Sequence, residues 1–486
     1  MIVFRKKDDV YLTFDGDRHD LQQLSDYFTF KVPGAEFSPQ YRNKFWDGKI
    51  RLVNLRNYTL YAGLWQEIVK FAKDLDVKVE FEGNKFDYPG REQPVTDEML
   101  DGFLNILKPY NKQGRIDIRD YQREAFKSAV RQQRVLLLSP TASGKSLIAY
   151  ALCRWWEQTH DRKVLIIVPT ISLVSQMIGD FKEYSSNKFF AHGISGGLDK
   201  DTDLRCVVST WQSIHKMSPG WFAQFGSVIV DEVHHAQAKS IQKIMNNLLI
   251  CPDRIGLTGT LQEAKTHELV LKGLFGPVHK VISTKELIDR NQVSDLQVRI
   301  LTFNYKDEER KTVSKYTYQE EIDFLITNEK RNKIIAKMAG DLPGNTLVVF
   351  SRLDHGKTIF DLIDTEKDLH YVAGETDKET REAVRALAEH NDTIIVASLG
   401  VFSTGINIRN LHNLIFAHPS KSKIKVLQSI GRVLRVSDTG RKAIVFDIVD
   451  DLKHRARDNF ALRHANERFK FYIDESFDFK ISKIEL

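Results

Sequence analysis

The sequence predicts an α/β protein with two parallel-sheet domains, preceded by a small α/β domain and followed by a helical C-terminal extension. From about residue 112, short apolar runs alternate with helix-like stretches, which is typical of parallel sheets covered by helices. A second series of apolar runs follows a charged, helix-rich connector at about 285–342. The 486 residues also exceed what one hydrophobic core usually holds. The expected boundaries are 1–88 for the small domain, 89–111 for a linker, 112–284 and 285–450 for the parallel-sheet domains, and 451–486 for the extension.

The small domain combines short β-like runs with one predicted helix at 64–75, whose apolar residues follow helical spacing. Between residues 31 and 56, six basic residues face two acidic ones, and aromatic residues lie among them. Such a mixture suits phosphate contact combined with base stacking, so the candidate nucleic-acid contacts are Lys44, Lys49 and Arg51. In the alternative interpretation this stretch is a solvated basic loop whose aromatic residues form the core of the small domain.

The first parallel-sheet domain contains a candidate phosphate loop. An apolar run at 135–138 precedes it and a helix-like stretch at 147–156 follows it, so backbone N–H groups and a helix N-terminus should surround one point. Lys145 would reach the β- and γ-phosphates of ATP, and the Ser146 hydroxyl would ligate Mg²⁺. The first loop position is Ser139 instead of glycine, so this segment alone leaves ATP binding open. The expected nucleotide contacts are Ser139, Pro140, Thr141, Ala142, Ser143, Gly144, Lys145 and Ser146.

Two adjacent carboxylates, Asp231 and Glu232, follow the apolar run at 227–230. Ligands of open α/β sheets collect at the carboxyl ends of strands, so this pair should lie beside the phosphate loop. One of them would hold Mg²⁺ through water while the other would polarise the water that attacks the γ-phosphate. Burial of unpaired charge is expensive, which argues against a purely structural role for the pair.

The second parallel-sheet domain is predicted from four apolar runs, at 346–350, 393–397, 413–416 and 443–446. None of them precedes a second Gly-Lys-Ser loop, so this domain should supply something other than its own nucleotide site. The segment at 452–471 is predicted to be a charged helix that packs across the second core.

Composition sets wide limits on function. The chain is 42% hydrophobic and 28% charged, as in ordinary globular proteins, and its net charge of +6 permits a nucleic-acid partner without requiring one. The three cysteines lie far apart in or beside apolar runs, which predicts reduced core thiols and a cytoplasmic, reducing environment. Charged residues at 5–7 interrupt any signal-peptide pattern, and no apolar run approaches the roughly 18 residues of a membrane span.

The order of motifs over residues 116–435 resembles that of superfamily 2 DExH-box helicases. The corresponding segments are 119–122 (an adenine-recognising motif), 139–146 (motif I), 168–176 (Ia), 209–211 (Ib), 231–234 (the DExH box), 257–260 (III), 350–352 (IV), 403–407 (V) and 428–435 (VI). Ser139, Ala142 and Asn407 depart from residues common in the family, but none of these changes removes a catalytic group.

This resemblance implies two RecA-like domains that enclose one ATP with Mg²⁺. It implies catalytic roles for Lys145, Asp231, Glu232, Gln428, Arg432 and Arg435, the two arginines acting as arginine fingers. It implies nucleotide contacts from Arg119, Tyr121, Gln122 and Gly405, and coupling between the ATP and nucleic-acid sites through His234, Thr258 and Thr260. It implies phosphate contacts to one nucleic-acid strand from Thr170, Ser209, Thr210, Ser351, Arg352 and Thr404. Arg435 could instead form an ordinary interdomain ion pair, and Trp211 could be a core residue as well as a stacking residue.

The whole chain, including residues 45–48 of the basic stretch, is similar more narrowly to the recombination helicases of T-even phages. This similarity implies an ATP-driven motor on branched or duplex DNA that performs branch migration, fork regression and unwinding of R-loops and D-loops. An RNA–DNA hybrid is then a further partner, no membrane is involved, and the protein is expected to be monomeric or weakly oligomeric. The alternative is an ATP-driven sensor or remodeller of double-stranded nucleic acid that does not separate strands, since the same motifs serve both classes.

Overall fold

The computed structural model describes two compact units. One comprises Met1–Ser139 with Gly144–Ile282, and the other comprises Pro140–Ser143 with Ser283–Leu486. The residues described are 1–32, 34–83, 95–112, 114–189, 191–194, 200–233, 239–259, 265–293, 295–376, 380, 383–384, 392–404, 411–418 and 442–486, without the side chains of 239, 265–267 and 402–404.

The N-terminal domain is a mixed sheet with helices on it. Its elements are β1 (Ile2–Lys6), β2 (Tyr11–Gly16), α1 (Arg18–Tyr27), β3 (Thr29–Lys31), α2 (Pro39–Arg42), β4 (Lys49–Arg51), β5 (Val53–Asn54), β6 (Thr59–Tyr61), α3 (Trp65–Asp74) and β7 (Val79–Phe81). The main sheet has the order β5-β6-β2-β1-β7, while β3 and β4 form a separate antiparallel pair. Apolar residues alternate along β2 and bury one face, and α3 confirms the predicted helix.

The first parallel sheet has the strand order β12-β13-β11-β14-β15-β10-β16. Its elements are α4 (Asp97–Ile106), β8 (Tyr110–Asn111), β9 (Gly114–Arg115), α5 (Asp120–Gln132), β10 (Arg134–Leu138), α6 (Lys145–Thr159), β11 (Lys163–Val168), α7 (Ile171–Tyr184), β12 (Ala191–Ile194), β13 (Cys206–Thr210), α8 (Trp211–Ile214), α9 (Pro219–Phe222), β14 (Phe225–Asp231), α10 (Lys239–Asn247), β15 (Asp253–Thr258), α11 (Lys265–Phe275) and β16 (Val278–Lys280). The central strands are apolar and buried on both faces, as expected for a parallel sheet covered by helices.

The stretch at 89–111, predicted as a linker, contains a helix in the part that the structure describes. Thr96 caps α4 by accepting the N–H of Met99 at 3.3 Å, and the apolar side chains of Leu100 and Leu104 are buried in the core beside α5. The helical spacing of these apolar residues places α4 inside the stretch predicted to be a linker.

Helix α11 is shared by the N-terminal domain and the first parallel sheet. Leu269 packs in the N-terminal core, while Leu274 and Phe275 pack in the core of the parallel sheet. A Cβ atom at Gly63 would lie 2.4 Å from the carbonyl oxygen of Lys272, so only glycine permits this approach. Lys272 also pairs with Glu67 at 2.8 Å. The two domains are therefore parts of a single packed unit.

The second parallel sheet has the strand order β19-β20-β18-β21-β22-β17-β23. Its elements are α12 (Thr284–Asp289), β17 (Leu296–Asn304), α13 (Asp307–Val313), α14 (Tyr318–Thr327), α15 (Glu329–Asp341), β18 (Thr346–Phe350), α16 (Leu353–Leu362), β19 (Asp368–Val372), β20 (Thr393–Ser398), α17 (Leu399–Thr404), β21 (Asn413–Phe416), β22 (Ala443–Asp451), α18 (Phe460–Asp474) and β23 (Asp478–Glu485). The four predicted strands are present, as are the helices of the connector.

Two strands of this sheet, β17 and β23, correct the sequence prediction. The connector predicted as helix-rich contains β17, which lies between β22 and β23 and pairs in parallel with both. The extension predicted as helical contains α18, but it ends in β23, an edge strand whose side chains are mostly exposed. The apolar residues of β23, Phe479, Ile481 and Ile484, are too few and too exposed to mark a buried strand, and its pairing with β17 defines it.

The start of α18 is fixed by one buried carboxylate. Glu321 of α14 is 1% exposed and accepts from the side-chain amide of Asn459 at 2.9 Å. It also accepts the backbone N–H groups of Phe460 at 2.9 Å and Ala461 at 2.7 Å. A negative charge at a helix N-terminus satisfies donors that would otherwise lack partners. This contact ties the extension to the second unit.

The three cysteines, Cys153, Cys206 and Cys251, are free and buried, which confirms the prediction of core thiols. Among the helices within the described residues, none has the length and apolar composition needed to cross a bilayer.

Candidate nucleotide site and nucleic-acid interface

The phosphate loop connects β10 to α6. Ala142 and Gly144 have φ angles of +68° and +84°, and α6 begins directly after Gly144. The Ser143 hydroxyl donates to the Pro140 carbonyl at 2.6 Å. The Ser139 N–H donates at 2.8 Å to the carbonyl of Thr258, which ends the neighbouring strand β15. The loop is thus closed on itself, fixed to the sheet, and followed by a helix N-terminus, where phosphate binds favourably.

The Lys145 ammonium lies at the mouth of this loop. Its Nζ donates to the Ser139 carbonyl at 3.4 Å and to Oε1 of Glu232 at 3.2 Å. Lys145 and Glu232 are only 15% and 18% exposed, so their attraction is less screened than that of a surface pair. The structure therefore brings the predicted lysine and the predicted catalytic carboxylate into direct contact.

Asp231 and Glu232 lie where β14 ends, separated from β10 in the sheet by β15. Oδ1 of Asp231 accepts the Glu232 N–H at 3.0 Å, and Glu232 has a φ of +52°, in the left-handed region that non-glycine residues seldom occupy. Loss of hydration and the neighbouring Glu232 carboxylate raise the pKa of Asp231 well above its ordinary value, while Lys145 opposes this shift. A nearby cation would therefore stabilise the ionised form of Asp231.

The Ser146 hydroxyl has a partner that the sequence did not reveal. Its Oγ lies 2.9 Å from the hydroxyl of Tyr184, the last residue of α7. The contact joins residues 38 positions apart and follows no motif spacing, so no sequence signal indicated it. Together, a serine hydroxyl and an aspartate carboxylate are the oxygen ligands that Mg²⁺ prefers, so the donor chemistry fits that ion.

The adenine-recognising motif also reaches the loop. Oε1 of Gln122 accepts the Arg119 N–H at 3.0 Å, and Arg119 donates to the Tyr121 hydroxyl at 2.8 Å. A Cβ at Gly144 would lie 2.3 Å from Nε2 of Gln122, so the glutamine amide lies directly against the phosphate loop. Motif segments separated by some twenty residues of chain are therefore neighbours in the fold.

Other predicted residues lie outside the described part of the chain. They are His234, Thr260, Gly405, Gln428, Arg432 and Arg435. The backbone of Thr404 ends α17, but its side chain is also outside the described part.

The strand-end hydroxyls of the first sheet have structural partners. Thr170 caps α7 by accepting the Leu173 N–H at 3.3 Å. Ser209 is completely buried, and its hydroxyl contacts the carbonyls of Ile194 at 3.2 Å and Thr210 at 3.1 Å. The expectation that the Ser209 hydroxyl contacts a nucleic-acid phosphate is therefore corrected, because its donor is satisfied inside the core.

Thr210 is only 3% exposed, and its hydroxyl lies 3.0 Å from that of Ser213. In the second unit, Ser351 and Arg352 are exposed after β18, and Arg352 forms a 3.3 Å ion pair with Asp323. Exposure keeps Ser351 and Arg352 available as phosphate contacts, whereas Thr210 offers little side-chain surface.

Residues 34–51 of the N-terminal domain form a surface that we call the basic–aromatic loop. Lys44 and Lys49 are exposed on it, whereas Arg51 is paired with Asp47 through contacts of 3.2 and 2.5 Å. Phe45 is 85% exposed, so the interpretation in which the aromatic residues form the core is wrong for this ring. The structure favours a surface that can stack on bases.

A phosphate loop, an Asp-Glu pair near it and a second parallel sheet are the features of a motor ATPase built from two parallel-sheet domains. Residues 115–263 match the family described as "Type III restriction enzyme, res subunit", and residues 329–437 match "Helicase conserved C-terminal domain". Residues 2–82 match "DNA helicase UvsW, N-terminal".

The chain is 37% identical over 500 residues to the ATP-dependent DNA helicase uvsW of Enterobacteria phage T4, covering 98% of each chain. The chain therefore belongs to the UvsW family of superfamily 2 helicases and has ATP-dependent helicase activity. The crystal structure of T4 UvsW matches with a TM-score of 0.54 at 36% identity, over 100% of this chain and 99% of that one. A putative type I restriction HsdR subunit of Vibrio vulnificus YJ016 shares the fold, with a TM-score of 0.58 at 18% identity over 80% and 72% of the chains.

Proposed function

We propose that this chain is an ATP-dependent DNA helicase that acts on branched DNA in recombination, replication restart and repair. Its reactions are branch migration of junctions, regression of forks, and unwinding of R-loops and D-loops. The observation that carries the ATP-hydrolysis part of the proposal is the contact of Lys145 in the phosphate loop with Glu232 beside Asp231. Membership of a family whose T4 relative is a DNA helicase supports DNA as the substrate.

In this proposal Lys145 moves from Glu232 to the β- and γ-phosphates of ATP. The released Glu232 carboxylate then orients the attacking water and accepts its proton. Ser146 and Asp231 would hold Mg²⁺, which when bound neutralises charge on the phosphates. Gln122, positioned by Arg119, contacts the adenine edge beside Tyr121. Each of these steps uses a side chain whose present partner can be exchanged for nucleotide.

The second domain contributes residues that respond to the γ-phosphate. Gln428, Arg432 and Arg435 are assigned this role, with Gly405 near the nucleotide; arginine fingers in comparable NTPases accelerate hydrolysis by about 10³ to 10⁵. His234, Thr258 and Thr260 are assigned to couple hydrolysis to movement on DNA. Loss of the γ-phosphate then changes the conformation of the motor.

DNA is held mainly through its phosphates, without reading of base sequence. The proposed side-chain contacts are Thr170, Ser351, Arg352 and Thr404 in the motor, with Lys44, Lys49 and Arg51 in the N-terminal domain, while the buried Thr210 contributes little. The 2.5 Å contact of Arg51 with Asp47 reduces its free charge, so the two lysines are expected to dominate. The protein is proposed to act as a monomer or weak oligomer on branched or duplex DNA and on RNA–DNA hybrids.

The test is the rate of ATP hydrolysis with matched single-stranded DNA, linear duplex DNA, a four-way junction and double-stranded RNA at one salt concentration. The proposal expects the strongest stimulation from the junction. A second assay follows strand separation on a forked duplex. Strongest stimulation by double-stranded RNA, without strand separation, would replace this proposal with a sensor or remodeller of double-stranded nucleic acid.

A further inference from the structure

The basic–aromatic loop encloses a pocket of about 540 Å³ that the motor chemistry does not use. Its lining residues are Glu36, Tyr41, Arg42, Lys44, Trp46 and Asp47. We propose that this pocket receives one unpaired DNA base, with the adjoining phosphates held at its rim. The inference rests on the proposed action on branched DNA and assigns a recognition site for the branch itself.

The aromatic wall of the pocket is fixed in place. The indole N–H of Trp46 donates to the Lys49 carbonyl at 2.8 Å, which sets the ring orientation. Gly48 has a φ of +76°, and a Cβ there would lie 3.0 Å from the Tyr41 ring, so the glycine lets that ring pack close to the turn. Rings held in this way lose little side-chain freedom when a base stacks on them.

The charges of the pocket are mixed, since Arg42 and Lys44 line it together with Glu36 and Asp47. Asp47 is engaged by Arg51 and by the Lys49 N–H at 3.1 Å, and the Arg51 hydrogen bond lowers the pKa of Asp47 to about 2. The exposed Glu36 carboxylate would repel phosphate but can accept hydrogen bonds from the amino groups of adenine, cytosine or guanine. Lys44 is exposed on the same lining and can contact the sugar–phosphate backbone of the DNA.

The aromatic lining of the pocket favours an unpaired base over a base pair. In duplex DNA the bases are stacked and their Watson–Crick edges are occupied, whereas unpaired bases can be splayed out and stacked on aromatic side chains. Phe37 and Phe45, 71% and 85% exposed, offer further ring surface in the same loop. Unpaired bases occur where strands exchange partners, so the pocket would find a branch through its unpaired bases, with a preference for those that carry an amino group.

The experiment uses the full-length protein and two fluorescent DNAs, a forked duplex with 2-aminopurine at one unpaired position and the fully paired linear duplex. Trp46→Ala is expected to weaken binding to the fork by about 10-fold, and to leave the affinity for linear duplex unchanged. Trp46→Phe, which keeps a ring, should restore most of the binding. Tyr58→Ala removes a 48%-exposed ring of the same domain outside the pocket and should change neither affinity.

Base preference provides the second measurement. Glu36→Gln should reduce the preference for adenine, cytosine or guanine over thymine at the unpaired position, because the amide offers a weaker acceptor than the carboxylate. Equal weakening of fork and duplex binding by Trp46→Ala, or unchanged fork binding, would overturn the proposal that the pocket receives an unpaired base. If the wild-type ATPase responds best to the junction while Trp46→Ala has no effect, only the pocket fails. If no DNA stimulates the ATPase, the proposed function itself fails.

Discussion

Replacing Gly144 with alanine should disable the phosphate loop by two additive effects. The φ of +84° at this residue costs about 1–2 kcal/mol for an L-residue with a side chain. The new Cβ would also lie 2.3 Å from Nε2 of Gln122, a residue only 4% exposed. Moving Gln122 breaks its hydrogen bond with the Arg119 N–H, worth about 1 kcal/mol. The first unit should therefore lose roughly 2–3 kcal/mol of stability.

Tryptophan fluorescence is a selective probe for this prediction. All six tryptophans of the chain lie before residue 283, within the first unit, so urea unfolding followed by their emission reports on that unit. Gly102→Ala is the matched control, because this position in α4 has no atom within 4 Å of a new Cβ. Alanine there should stabilise the helix by about 0.5–1 kcal/mol.

Nucleotide affinity gives the second readout for Gly144→Ala. The KM for ATP should rise, since the substitution displaces both the loop and the residue assigned to the adenine edge. A Gly144→Ala protein with the unfolding midpoint and the ATP KM of the wild type would refute the packing argument.

The other predictions concern charge. Lys145→Ala should abolish phosphate release from ATP while gel-shift affinity for DNA stays within about twofold. A normal rate of ATP hydrolysis would show that Lys145 is not part of the ATP site. Asp231→Asn should raise the midpoint of thermal unfolding, because the pKa of this carboxyl is raised by burial. Its ionisation therefore destabilises the fold increasingly as pH rises from about 4 to about 7, and a difference that does not change over this range would contradict the reasoning. Glu321→Ala should destabilise the second unit by about 3 kcal/mol by circular dichroism, since three donors lose their acceptor. Tryptophan emission should not report that change, and exposed Glu329→Ala should have little effect by either probe.

The nucleotide site was predictable because each of its parts is a short continuous segment with a recognisable sequence. The phosphate loop and the Asp231-Glu232 pair each follow an apolar strand, and parallel-sheet geometry brings the carboxyl ends of strands to one edge. The contact between Lys145 and Glu232, 87 positions apart, is therefore a consequence of sheet topology that the sequence pattern could anticipate.

The missed features depend on single residues or on weak patterns. Tyr184 is an isolated tyrosine at the end of a helix, and nothing in its local sequence indicates its contact with Ser146. The burial of Ser209 depends on other segments of the protein that pack against strand β13. No sequence motif indicates that packing. Strand β23 was missed because its side chains are exposed and hydrogen bonding to β17, a tertiary partner, defines it.

Helix α11 contributes apolar side chains to two hydrophobic cores, that of the N-terminal domain and that of the first parallel sheet. Its Leu269 completes one core and its Phe275 completes another, so neither domain has a full set of apolar side chains without it. A fusion protein that carried residues 1–82 alone would contain the basic–aromatic loop but would lack the Leu269 side chain that packs in its core. A substitution on α11 can therefore disturb the packing of two hydrophobic cores at once.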